Sequence, residues 1–113
     1  MDVISPADRE TVEPVEGGFL TQMGAGERMS VQHFRLEPEA GAPEHSHEHE
    51  QVGYLLEGSL TIIAAGEEHT VEAGDSYLIP GDEPHAIWNR GSDLAVGIET
   101  FSPPRPRPPD LED

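Results

Sequence analysis

The segment "EHSHEHEQ", residues 44–51, sets His45, His47, His49 and Gln51 at every second position. On a regular strand all four would point to one face, and imidazole nitrogens crowded there can converge on a divalent ion. His85 stands apart in "PGDEPHAIWN". Near the end, "IETFSPPR" offers Glu99, Phe101 and Arg105. Glu99 and Phe101 share strand parity, so a carboxylate and an aromatic ring can face the same side. Beside a metal, such a carboxylate can act as general acid or base, and an Arg can grip a substrate carboxylate through two parallel hydrogen bonds. The plain alternative is a solvated histidine-rich run on an acidic chain, followed by a last strand with one exposed acid and a proline-stiffened end.

Positioning these residues requires strands. Short runs with period-two patterning recur: "RMSVQHFRLEP", "QVGYLLEGSLTIIAAG", "EEHTVEAGDSYLIPG", "HAIWNRG" and "DLAVGIETF". No sustained 3.6-residue period appears. Gly58, Gly66, Gly74, Gly81 and Gly91 break the runs at the spacing of an all-β sandwich or small barrel. Residues 1–17, polar and closed by Gly17-Gly18, read as an N-terminal arm or edge strand, residues 18–105 as the barrel, and residues 106–113 as a proline-rich acidic tail that no central strand can hold. One domain suits a chain of 113 residues.

Charge narrows the partners. There are 23 Asp plus Glu against 6 basic residues, for a net charge of -17. Phosphate backbones and anionic bilayers would repel such a chain, which predicts no nucleic acid and no membrane partner and leaves small molecules and metal ions. The acidity also predicts a fold adapted to high salt, where the Debye length falls to about 3 Å and carboxylate repulsion is screened. With no Cys there is no disulfide and no thiolate ligand. The N-terminus lacks a basic region followed by an apolar run, and no stretch approaches the about 18 apolar residues of a membrane helix, so a cytoplasmic location is expected.

The spacing of these residues resembles the cupin superfamily, whose first motif runs Gly, His-x-His, Glu, Gly. Gly41, His45, His47 and Gly58 fill that pattern, Gln51 stands where the Glu is usual, and the leading Gly lies two residues closer than in the family. "GDSYLIPGDEPHAIWN" resembles the second motif, with Gly74, Pro80, His85 and Asn89 in place and Asp82 at the position of its last Gly. The resemblance implies a single-domain cupin β-barrel, a double-stranded β-helix of jelly-roll type. It also implies one divalent transition metal, Ni, Mn, Fe, Co or Zn, held by His45, His47, Gln51 and His85. His49 is left over, at the barrel mouth or against another chain, with replacement of His45 or Gln51 as the competing role. His33 and His69 read as ordinary strand residues.

An amide ligand leaves the ion's charge unbalanced where a Glu would cancel one unit. Such a site should resist oxidation and suit Lewis-acid work on an anion. The ending resembles a cupin subgroup that includes the pectin-degradation cupins, which convert 4,5-unsaturated uronates into linear keto acids. That subgroup carries an Asp, a Phe and an Arg in this spacing. By this resemblance Glu99 and Arg105 would be catalytic, and Phe101 and Arg105 would bind substrate; Glu99 is one methylene longer than the usual Asp. The rival expectations are an iron-dependent dioxygenase and a non-catalytic barrel that binds metal and a sugar acid. The resemblance also implies a homodimer, with the N-terminal arm added to the partner's sheet.

Overall fold

A computed structural model describes residues 1–105; the tail expected over 106–113 lies outside the described residues. Among the described residues a single 3-10 turn, Pro6–Asp8, precedes ten strands: β1 (Thr11–Val15), β2 (Gly18–Ala25), β3 (Ser30–Leu36), β4 (Gly41–His45), β5 (Glu50–Glu57), β6 (Ser59–Ala64), β7 (Glu67–Glu72), β8 (Ser76–Ile79), β9 (His85–Trp88) and β10 (Ala95–Ser102). They form a six-stranded sheet in the order β1-β2-β3-β10-β5-β8 and a four-stranded sheet in the order β4-β9-β6-β7. All pairings are antiparallel. The two sheets face each other as a jelly-roll barrel, and no helix among the described residues is long and apolar enough to cross a membrane.

The turns follow from the breaks in the pattern. Gly58, Gly66 and Gly74 have φ of +80°, +78° and +95°, and at Gly58 a Cβ would also meet the Leu94 carbonyl at 2.6 Å. Asp82 adopts φ +65° where the second motif has a Gly, a conformation that Asp tolerates better than most residues. The segment 11–15, expected as arm or edge, pairs with this chain's own β2.

Inward-facing residues change character along the six-stranded sheet. At one end lie Leu36, Ala95, Phe34 and Leu55, which pack with Leu60, Ile62, Val71 and Ile79 into the apolar core. Apart from Ala95, each such side chain stabilises the fold by about 1.5–3 kcal/mol through burial. One step further along the same strands, the inward positions become Gln32, Glu99, Gly53 and Tyr77, which lie in register across β3, β10, β5 and β8. The next row holds Ser30, Phe101 and Gln51. The apolar rows close the barrel floor, and the polar rows line its upper half. Asn89, from the second motif, is fully buried as a main-chain pin: its amide donates to the Leu36 and Asp93 carbonyls and its oxygen accepts from the Gly91 N–H.

Candidate metal centre

Two sheets and one loop supply the site. His45 ends β4 and pairs with His85 at the start of β9, which brings those two imidazoles together from neighbouring strands. Their ring centroids are 4.3 Å apart. His47, in the loop from β4 to β5, adds a third ring 5.0 Å from His85 and 5.8 Å from His45. Ligand-capable nitrogens of the three lie within 4.8 Å of one another, close enough to hold a single metal ion.

In each ring Nδ1 meets a main-chain carbonyl: Pro43 for His45 at 2.8 Å, His49 for His47 at 3.1 Å and Glu83 for His85 at 2.9 Å. A carbonyl only accepts, so Nδ1 carries the hydrogen and Nε2 presents a lone pair, the tautomer a metal requires. His85 Nε2 is buried with no hydrogen-bond partner, which is the mark expected of a donor set built for a cation. Burial holds the His47 pKa down to about 4, with Arg105 and His85 adding to the effect. His85 is lowered as well, chiefly by burial. Both rings are therefore neutral near pH 7.

Gln51, buried on β5, faces these rings. Its amide nitrogen donates to the Glu99 carboxylate, which leaves Oε1 pointing at His47 Nε2 at a distance of 3.1 Å. Two lone pairs thus confront each other, an arrangement that a cation between them satisfies. Glu99 is itself buried and accepts from the Gln32 amide at 3.2 Å and the Tyr77 hydroxyl at 2.8 Å. Burial, and then the Glu99 charge, push the Tyr77 phenol well above its usual range, so it stays a donor. Tyr77 reaches Glu99 across Gly53, where a Cβ would overlap its ring.

Phe101 is buried directly opposite Gln51, and the Arg105 guanidinium stacks over its ring at 5.1 Å. These residues share a cavity of about 430 Å³, walled on one side by Val15, Leu20 and Ile87. The structure therefore brings His45, His47, Gln51, His85, Glu99, Phe101 and Arg105 to one place. His49 is outside the histidine trio: its ring packs edge-on against His47 and Phe101, while its carbonyl orients His47. Gln32 and Tyr77 are the site residues that sequence reasoning missed.

Known proteins share the fold and part of the sequence. Residues 32–101 match the cupin domain. The chain is 35% identical over 66 residues to the pectin degradation protein KdgF of Dickeya dadantii, covering 58% of each protein. It is 35% identical over 77 residues to the tetracenomycin polyketide synthase protein TcmJ of Streptomyces glaucescens, covering 67% of this chain and 52% of that one. The chain thus spans little more than half the length of these curated relatives. The solved structure of KdgF from Halomonas sp. superposes with a TM-score of 0.82 at 20% identity, covering 98% of both chains. With the domain match extending over more than half of its length, and with both histidine motifs converging inside the barrel, the chain belongs to the cupin family.

Proposed function

We propose that this cupin is a metal-dependent enzyme that isomerises a small, carbohydrate-derived acid of the unsaturated-uronate type. The observation that carries the reading is the adjacency of a buried carboxylate, Glu99, to the imidazole cluster through Gln51, within a cavity that also holds Arg105. Similarity to KdgF, a pectin degradation protein, supports the substrate class. His45, His47, His85 and the Gln51 oxygen would hold one divalent transition metal. When bound, it supplies Lewis-acid stabilisation of negative charge on a substrate oxygen.

The remaining work falls to the chain's own side chains. The Arg105 guanidinium holds the substrate carboxylate, and Phe101, beneath it, gives the ring an apolar floor. Ring opening removes the proton of the anomeric hydroxyl and breaks the bond from the anomeric carbon to the ring oxygen. An aldehyde and a C4–C5 enolate result, and C4 then takes up a proton. Glu99 moves that proton, while Tyr77 and Gln32 hold its carboxylate in position. The Gln51 amide adds no charge to the ligand set, which favours this Lewis-acid role over an iron-dependent dioxygenase.

Metal-loaded protein incubated with a 4,5-unsaturated uronate at high salt should remove the substrate's ultraviolet absorbance faster than buffer does, and Glu99→Gln should abolish the gain. No acceleration over buffer would end the proposal. The apolar wall of Val15, Leu20 and Ile87, together with the similarity to TcmJ, favours a second reading in which the same proton transfer serves a less hydroxylated keto acid. Thermal stabilisation by a uronate without turnover would instead point to a non-catalytic binding barrel.

A further inference from the structure

One cross-strand row runs through the site. Gln22, Gln32, Glu99, Gly53 and Tyr77 stand in register on β2, β3, β10, β5 and β8. The side chains of Gln22, Gln32 and Glu99 belong to residues no more than 6% exposed. Three neighbours donate to the Glu99 carboxylate: Gln51 and Gln32 through their amide nitrogens, and Tyr77 through its hydroxyl.

A carboxylate only accepts, so Glu99 fixes which way both amides point. With the two nitrogens on Glu99, both amide oxygens are turned elsewhere. The Gln51 oxygen faces His47 Nε2 and joins the ligand set. The Gln32 oxygen is buried with no hydrogen-bond partner, a costly state for an acceptor. Donation to Glu99 does not by itself call for an amide, since the Tyr77 hydroxyl does the same and leaves no acceptor unmet. Gln32 lines the cavity that also holds Glu99, Phe101 and Arg105. Gln22, next in the row, has its nitrogen on the Val31 carbonyl and its oxygen likewise unpartnered, but it is not part of the cavity wall.

We propose that Gln32 is a specificity-determining residue, whose amide oxygen accepts a hydrogen bond from a ring hydroxyl of the ligand. It thereby selects a polyhydroxylated acid over the less hydroxylated keto acid, because a keto oxygen or a second carboxylate brings no proton to an acceptor. The ligand class rests on the uronate reading given above. Glu99 then orients two amides for two tasks, one toward the imidazoles and one toward the substrate.

Calorimetry on zinc-loaded protein at high salt, with galacturonate and its 2-deoxy and 3-deoxy analogues, tests this without requiring turnover. In the parent, one of the two analogues should bind at least about tenfold more weakly than galacturonate. Gln32→Met should bring that analogue within about twofold of galacturonate, whereas Gln22→Met should keep the gap. Gln32→Asn, which keeps the amide but withdraws it by one methylene, should close the gap as well. The ratio of affinities cancels any uniform loss from a less firmly held Glu99. No binding or equal binding of the three ligands by the parent, a gap that persists in Gln32→Met and Gln32→Asn, or a gap also lost in Gln22→Met would overturn the proposal. A protein that shows the gap yet fails to turn over the unsaturated uronate would lose the isomerase reading and keep this one.

Discussion

The Gln51 side chain donates its amide to Glu99 and turns its oxygen on His47 Nε2, so the orientation of one proposed ligand is dictated by a carboxylate behind it. Replacing that amide by a carboxylate removes the donor and sets two like charges side by side. Gln51→Glu is therefore expected to destabilise the metal-free protein by about 2 kcal/mol, with partial recovery when a divalent metal is added. Urea titrations with and without metal would measure this. A metal-free variant as stable as its parent would show that Glu99 does not set the amide.

Tyr77 and Gly53 form a second testable unit. Tyr77→Phe deletes one donor to a buried carboxylate and should cost about 1–2 kcal/mol. Gly53→Ala should act on the same contact from the other side, because its methyl would occupy the place of the Tyr77 ring. Both variants should lower stability and slow the proposed reaction, and combining them should cost less than the sum of the two. Additive losses would separate the glycine from the tyrosine.

Acid should weaken the metal-free protein through its imidazoles. His47 titrates at about 4 in the folded chain, below its ordinary value of 6.5, because its buried ring resists charging. The unfolded chain binds that proton first. The stabilising contribution is thus complete above 6.5, is lost progressively as pH falls toward about 4, and changes no further below. His85 acts in the same direction. Denaturation across this window, comparing the parent with His47→Gln, isolates the effect from the titrating carboxylates; equal slopes would refute it. Metal affinity should fall in the same window, since protonation occupies Nε2.

Low salt should loosen the fold. A net charge of -17 on 113 residues, with Glu67, Glu68 and Glu72 exposed along one strand, leaves carboxylate repulsion unscreened once counterions are removed. The melting temperature should drop on dialysis into dilute buffer and return with molar salt. A flat or rising melting temperature would contradict this.

The strands were legible because apolar residues alternate between glycine breaks, and the histidine trio because two spaced motifs carry it. Gln32 and Tyr77 were hidden for a different reason. They reach Glu99 through the lateral register of β3, β10, β5 and β8, and the pairing of strands far apart in the chain leaves no trace in local periodicity. One local signal was available: Gly53 interrupts the bulky run "QVGYLL", and a glycine inside a strand often marks the close approach of another group. His49 contributes through its carbonyl, which no reading of side-chain types would disclose.

The carbonyls of Pro43, His49 and Glu83 that steer the three imidazoles belong to the main chain, so no point substitution can recolour them. On the opposite flank, Gln51, Glu99, Gln32 and Tyr77 form a chain made wholly of side chains. The candidate site thus has one fixed wall and one editable wall. Substitution at four positions can reshape the side-chain wall while the main-chain contacts that orient the histidines stay in place.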